Sequence, residues 1–403
     1  MALVSQGHLA VGCVHGQAAD RRPGSARRLL LPPSPCHRGR RADLPRLQDP
    51  PRDPGQRELE QLLRDPLHLS EPGIQQQQAE RDRVLPLPQA ALRLQHPQTA
   101  QRTVRKHPLG ATGLSVSIVG LGCNRLGESI ASDDHWDDLV RRSLDLGVTI
   151  FDTAEAYGKG RSEEVLGRVI ADRDDVYIAS KYSPRKGDQG PDFGYTAISD
   201  ALDASLSRLR RPYVDVYQIH SPKLADLASS EWKDTFIRLK EDGRIHHIAV
   251  AVNRADEGCA LIDDGLVEVL QVTYNLIERD VEEALLDKAL EGQVGLLVRK
   301  PLSRGVLTGK FTPGNEVPDH HRATNDGDRL PGRIEKAERY KPIGADYPGG
   351  LTRLAHHFSL SHPACSCIIP GARSTEQLEE NVAAAESDLP AAVREQLDAA
   401  ESA

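Results

Sequence analysis

VTIFDTAEAYGKGRSEEVLGRVIADRDDVYIASK (148–181) holds one turn of the pattern that decides the fold. VTIFD (148–152) and VYIASK (176–181) are short apolar runs that each end on a polar residue, and SEEVLGRVIADR (162–173) between them has the spacing of an amphipathic helix. The alternation continues in both directions. Further strand candidates are VSIVGLG (116–122), VDVYQIH (214–220), HIAVAV (247–252), VLQVTY (269–274), GLLVRK (295–300) and SCIIPG (366–371), about eight in all. Helical spacing recurs in HWDDLVRRSLDLG (135–147), TAISDALDASLSRLR (196–210), EWKDTFIRLKEDG (231–243) and VEEALLDKALEGQ (281–293), several of them closed by a glycine where a helix ends. Strict alternation of strand and helix implies a parallel sheet. A doubly wound sheet would want GxGxxG after its first strand, whereas GLGCNRLG (120–127) spaces its glycines differently. The expected fold is therefore an α/β (β/α)8 TIM barrel over residues 104–403.

In such a barrel, residues ending successive strands point to one mouth, where these folds carry their chemistry. Asp152, Tyr157, Lys181 and His220 lie at or just past strand ends, so four polar groups converge. The text around them, FDTAEAYGKGRSE (151–163), IASKY (178–182) and YQIHSP (217–222), resembles the aldo-keto reductase family over roughly residues 105–390. The resemblance implies a nicotinamide-dependent carbonyl oxidoreductase with these four as its catalytic residues. Hydride arriving at a carbonyl puts negative charge on oxygen, so the site must supply a proton. A lysine ammonium beside a phenol favours the anion, and an aspartate beside the lysine keeps it charged and in place. Tyr157 is thus the expected acid, Lys181 its tuner, Asp152 the orienter, and His220 a hydrogen-bond donor to the carbonyl oxygen.

Barrels of this kind commonly bind phosphate near strands 7 and 8. PLSRGVLTGKF (301–311) resembles the family's pyrophosphate loop, with Leu302, Ser303, Gly305 and Leu307 offering backbone contacts and Lys310 a charge. GARSTEQLEEN (371–381) opens a helix whose N-terminus favours an anion. By resemblance Gly371, Arg373 and Gln377 meet the 2'-phosphate region, and Glu380 and Asn381 the adenine. The fork of Arg373 suits a phosphate and makes NADPH the expected cofactor. Asn253 and Gln271 resemble the residues that hold the nicotinamide carboxamide. Two departures stand out: Ala251 where the family usually has serine, and Arg299 where many members stack an aromatic ring. Polar residues from about Thr312 to Tyr347 read as a long loop at the substrate rim, with Asn124–Ser132 and Ser183–Phe193 beside it.

With 403 residues and 38% hydrophobic content the chain can bury a full barrel. A net charge of -8 argues against nucleic acid as a partner, and no apolar run is long enough to span a membrane. Six cysteines without a CxxC pair suggest a reducing cytoplasm and no metal site. The expected partner is a small carbonyl or alcohol substrate, on a monomer or small homo-oligomer. Residues 1–103, rich in Arg, Pro and Gln and lacking periodicity, read as a disordered extension or a mis-assigned start, with Val104 the candidate first residue of the native protein. The competing functional reading is a nicotinamide-binding regulatory or redox-sensing subunit. A complete Tyr and Lys pair favours the enzyme, because a pure binding module has no use for it.

Overall fold

The structure, a computed structural model, describes residues 104–402 apart from 185, 188, 189, 229 and 320. The expectations for residues 1–103 lie outside the described residues.

Two short strands, β1 (Lys106–Pro108) and β2 (Ser115–Ser117), form an antiparallel hairpin. The barrel follows as β3 (Leu121–Gly122), β4 (Ile150–Asp152) and β5 (Tyr177–Tyr182). After a small hairpin of β6 (Lys186–Gly187) and β7 (Gly190–Pro191) it continues with β8 (Val214–His220), β9 (Ile245–Ala251), β10 (Val269–Thr273), β11 (Gly295–Arg299) and β12 (Cys365–Ile368). Each barrel strand runs parallel to the next in the order β3-β4-β5-β8-β9-β10-β11-β12. Parallel bridges of Val119 to Ile368 and Gly122 to Gly371 join the last strand to the first. Gly120 N donates to Ile368 O at 2.8 Å and Ile368 N to Ile118 O at 2.9 Å, which closes the ring. The fold is a (β/α)8 barrel.

Because side chains alternate along a strand, every second residue faces the interior. Ile150, Ala179, Val216, Ala249, Val269, Leu297 and Cys367 make one apolar inward layer, sealed beneath by Leu109 and Val116 of the hairpin. The fit under the barrel is close. Gly110 has φ +56, and a Cβ there would stand 2.3 Å from Gly295 N, so no larger residue can occupy that position.

The opposite face of each strand packs on helices. In Asp133–Asp145, Trp136, Leu139, Val140 and Ser143 are buried at i, i+3, i+4, i+7, a stripe that binds the helix to the sheet. Ser132 caps it by accepting from His135 N, and Asp133 and Asp134 suit the positive end of its dipole. Each fully buried large apolar side chain contributes on the order of 1.5–3 kcal/mol.

Two expectations about elements fail. VSIVGLG is not one strand: Ser117 pairs in the hairpin, its Oγ donates to Val119 O at 2.9 Å and its N to Thr149 Oγ1 at 2.8 Å, and the chain turns before β3. The stretch Thr312–Tyr347 is not a long loop but holds a 3-10 segment Arg322–Arg329 and helices Leu330–Glu338 and Lys341–Asp346. Both helices start with proline in the first turn, where its missing N–H costs nothing. Their buried stripe is thin, with Ile334 and Ala337 the buried residues of the first, so hydrophobic periodicity does not announce them. Among the described residues no helix is long and apolar enough to cross a membrane.

Candidate active site

Alternation along the strands builds the site directly above the apolar layer. Two residues on from Ile150, Ala179, Val216, Val269 and Leu297 come Asp152, Lys181, Gln218, Gln271 and Arg299, and two further along β8 comes His220. The strands therefore pass from a dry floor to a polar layer within one repeat.

Lys181 is fully buried, and its Nζ donates to both carboxylate oxygens of Asp152 at 2.7 Å and to Thr153 O at 2.8 Å. The same Nζ is 3.4 Å from Tyr157 Oη. Burial works against the Lys181 charge, yet the carboxylate of Asp152 and the phenol of Tyr157 together hold its pKa above the usual lysine value. Asp152 Oδ1 also accepts from Gln271 Nε2 at 2.7 Å and Gln218 Nε2 at 3.2 Å, and Gln271 Nε2 lies 3.1 Å from Gln218 Oε1. These contacts fill the lone pairs of a carboxylate that lies in a dry setting.

Tyr157 follows β4 in a short turn where Gly158 and Lys159 adopt left-handed backbone, and its ring meets the edge of His220 at 5.7 Å between centroids. His220 is pushed down to about 3 by burial, with Lys181 and Arg299 adding to the effect, so its imidazole is neutral at ordinary pH. Its Nδ1 lies 2.9 Å from Ser183 Oγ.

These groups open into a cavity of roughly 490 Å³, within the size range of small-ligand sites. Asp152, Tyr157 and His220 line it, whereas Lys181 lies beneath and acts through its neighbours. Of the expected cofactor residues, Asn253, Gln271, Arg299, Leu302, Gly305, Lys310, Gly371, Arg373, Gln377, Glu380 and Asn381 line the cavity. Ser303 and Leu307 do not. Ser303 is buried with its Oγ accepting from Arg333 at 2.6 Å, and Leu307 is in the core. The amide of Gln271 is already committed to Asp152. Asn253 Oδ1 accepts from Arg299 at 2.9 Å, and the same guanidinium donates to Val252 O at 2.9 Å and Ser221 Oγ at 3.1 Å.

Two turns shape the far end. After β11, Lys300, Ser303, Arg304 and Gly305 all have positive φ, folding the backbone back on itself as Ser303 N reaches Lys300 O at 2.8 Å. Gly305 N likewise donates to Leu302 O at 2.8 Å, so the turn is held by its own backbone. Arg304 pairs with Asp326 at 3.1 Å from the helical segment that sequence reading took for a loop. After β12, Ser374 caps the helix Thr375–Val382, Gln377 Oε1 accepts from Arg373 N at 3.0 Å, and His135 Nε2 donates to Arg373 O at 2.8 Å.

Among the described residues, neither Lys310 Nζ nor the Arg373 guanidinium has an ion-pair partner, and Lys310 is lowered by burial and by Arg373. Lys300 is pushed down to about 8 by burial, then by Arg299. Lys310 and Arg373, the two cations here without a carboxylate partner among the described residues, are where an anionic ligand would sit. No cluster of three or more metal-ligating side chains occurs among the described residues.

Sequence reading missed Gln218, Asn124, Arg125, Ser221, Lys300, Arg304, His321 and Thr352. Gln218 was findable, since it shares the inward parity of Val216 and His220 on one strand. Asn124 and Arg125 were read only as part of a rim loop. His321 likewise fell within the stretch Thr312–Tyr347 placed at the rim, whereas Thr352 reaches the cavity from a segment distant in sequence and gave no local signal.

The model of the aldo/keto reductase family matches residues 118–402. An NADH-specific methylglyoxal reductase of Escherichia coli is 28% identical over 310 residues, 71% of this chain and 95% of that protein. A putative voltage-gated potassium channel subunit beta of Schizosaccharomyces pombe is 31% identical over 312 residues, 69% of this chain and 87% of that protein. Among solved structures, the holo form of an aldo-keto reductase of Bacillus halodurans superposes with a TM-score of 0.63 at 26% identity, covering 74% of this chain and 96% of that one.

Proposed function

The chain belongs to the aldo/keto reductase family, and from that premise we propose that it is an NADPH-dependent oxidoreductase reducing aldehyde or ketone carbonyls to alcohols, reversibly. The observation that carries the reading is Lys181 Nζ bound to both oxygens of Asp152 and poised 3.4 Å from Tyr157 Oη at the base of the cavity. Such distances commonly tighten once substrate is bound.

The residues present fit a dinucleotide phosphate. Lys310 and Arg373, without ion-pair partners among the described residues, offer positive charge along one side of the cavity, beside the left-handed turn at 303–305. Arg373, held by its own backbone contacts to Gln377 and His135, would take the 2'-phosphate, which favours NADPH over NADH. Arg299, pinned by three acceptors, would face the nicotinamide ring in place of an aromatic side chain. When bound, the reduced nicotinamide supplies hydride. Tyr157 gives its hydroxyl proton to the carbonyl oxygen, the charge of Lys181 stabilises the phenolate left behind, and Asp152 keeps Lys181 charged and directed. His220 donates a hydrogen bond to the oxygen on which charge develops. The unpaired thiols of Cys123, Cys259, Cys365 and Cys367 support a reducing, cytoplasmic setting.

The test is loss of NADPH absorbance on adding a panel of aldehydes and ketones to the full chain, with NADH in parallel. A second reading, a nicotinamide-binding regulatory subunit, draws on the channel-subunit relative. Tight cofactor binding with no turnover across the panel would favour it.

A further inference from the structure

His220 can serve as a donor to a carbonyl only if its proton is on the nitrogen facing the cavity. Burial and the nearby cations keep the ring neutral, so just one nitrogen carries hydrogen. Nδ1 is engaged by Ser183 Oγ at 2.9 Å, which leaves Nε2 for the cavity that the ring lines. If Nδ1 carried the proton it would donate to Ser183 Oγ, and Nε2 would present a lone pair, which repels a carbonyl oxygen. If instead the Ser183 hydroxyl donates to a bare Nδ1, the proton sits on Nε2.

Ser183 is itself fixed. Its backbone N donates to Glu155 Oε1 at 2.8 Å, tying the residue just past β5 to the segment just past β4. Glu155 N in turn reaches Lys181 O at 3.4 Å, so the anchor belongs to the same two strand ends that carry Asp152 and Lys181. Among the described residues the hydroxyl's one hydrogen bond is the one to Nδ1, so it is free to donate there.

We propose that Ser183 is a positioning residue that sets the tautomer of His220, donating its hydroxyl hydrogen to Nδ1 so that Nε2–H faces the substrate oxygen. This rests on the reductase reading for its consequence but not for its measurement. A hydroxyl donating to Nδ1 selects Nε2–H, the opposite tautomer to that selected by the carboxylate of a hydrolytic triad, which accepts from Nδ1–H.

The experiment labels histidine with 15N in the full chain and reads the ring nitrogens of His220, assigned by the signals lost in His220→Asn. The expected result is the Nε2–H form in the wild type. Ser183→Thr keeps a hydroxyl and is expected to retain that form, whereas Ser183→Ala is expected to show a mixture with Nδ1–H. In Ser183→Ala, kcat should fall by about five- to tenfold, the worth of one neutral hydrogen bond, with NADPH affinity unchanged. A wild-type ring protonated at Nδ1, or a ring whose tautomer is the same in Ser183→Ala, overturns the proposal. A chain that turns over no carbonyl but shows the expected tautomers would sink the reductase reading and leave the role of Ser183 standing.

Discussion

The cavity has two charged ends built on opposite terms. At the base, Asp152 and Lys181 are both buried, and every strong contact each one makes is to this chain: two carboxylate oxygens, one carbonyl and two amides. At the rim, Lys310 and Arg373 have no ion-pair partner among the described residues, and burial with Arg299 outweighs the favourable field of Glu278 at Lys300. Charge balanced from within is a tuning device, whose task is to hold one protonation state. Charge left unbalanced is a binding device awaiting its counter-charge. Substitutions at the two ends should therefore fail differently.

The largest effect is expected from Lys181→Met. It leaves the Asp152 carboxylate buried without its cation, which costs about 3–5 kcal/mol of stability, and it removes the charge beside Tyr157. Urea unfolding with an activity assay checks both. An unfolding midpoint equal to wild type would mean that Asp152 takes up a proton or water at little cost, and that the base is not the closed unit described here.

Tyr157→Phe removes a single hydroxyl that is half-buried and lies beside Nζ at only 3.4 Å. Stability should change little, while carbonyl reduction drops by roughly 10²–10⁴, the span of general acid catalysis, and NADPH binding stays within about twofold. Activity within threefold of wild type sinks the assignment of Tyr157 as the acid.

The base was legible in the sequence and the rim only in part, for a physical reason. Asp152, Lys181 and His220 each end an apolar run, and strand geometry alone carries such residues to one mouth. The same parity would have yielded Gln218, had it been applied along VDVYQIH instead of only at its end. The rim depends on backbone that folds against local expectation. Lys300, Ser303 and Arg304 have left-handed φ, a conformation that residue type does not signal. The segment holding His321 and Asp326 over that turn has too thin an apolar stripe to read as helical, although Asp326 pairs with Arg304. Ser303 and Leu307 illustrate this: the motif offered their backbone to the phosphate, and the turn buries the side chains of both.

Arg373→Ala probes the unbalanced end. NADPH should bind more weakly by about 1.5–3 kcal/mol, the worth of hydrogen bonds to a charged group, with NADH much less affected. Folding should be unaffected, since the residue's structural contacts are made by its backbone N and O. Equal losses for both cofactors would move Arg373 from cofactor choice to support of the helix behind it, and would leave a cofactor preference like that in the name of the methylglyoxal reductase open for this chain.

The smallest effect concerns protons. Lys300 is at about 8 because burial and Arg299 penalise its charge. A phosphate arriving nearby rewards that charge, so binding should raise the value and draw a proton from solvent between roughly pH 7 and pH 9. At pH 8 about half the molecules lack the proton before binding, so uptake should approach about 0.5 proton per cofactor bound. Affinity should accordingly weaken as pH rises through this window. Titration calorimetry at pH 8 in two buffers of different ionisation enthalpy measures the uptake directly, and Lys300→Met should abolish it while Tyr157→Phe leaves it in place. Identical binding enthalpies in the two buffers would mean that the charge of Lys300 is already balanced within the chain, as at the base, and that the division between the two ends runs between Lys300 and the outer pair Lys310 and Arg373.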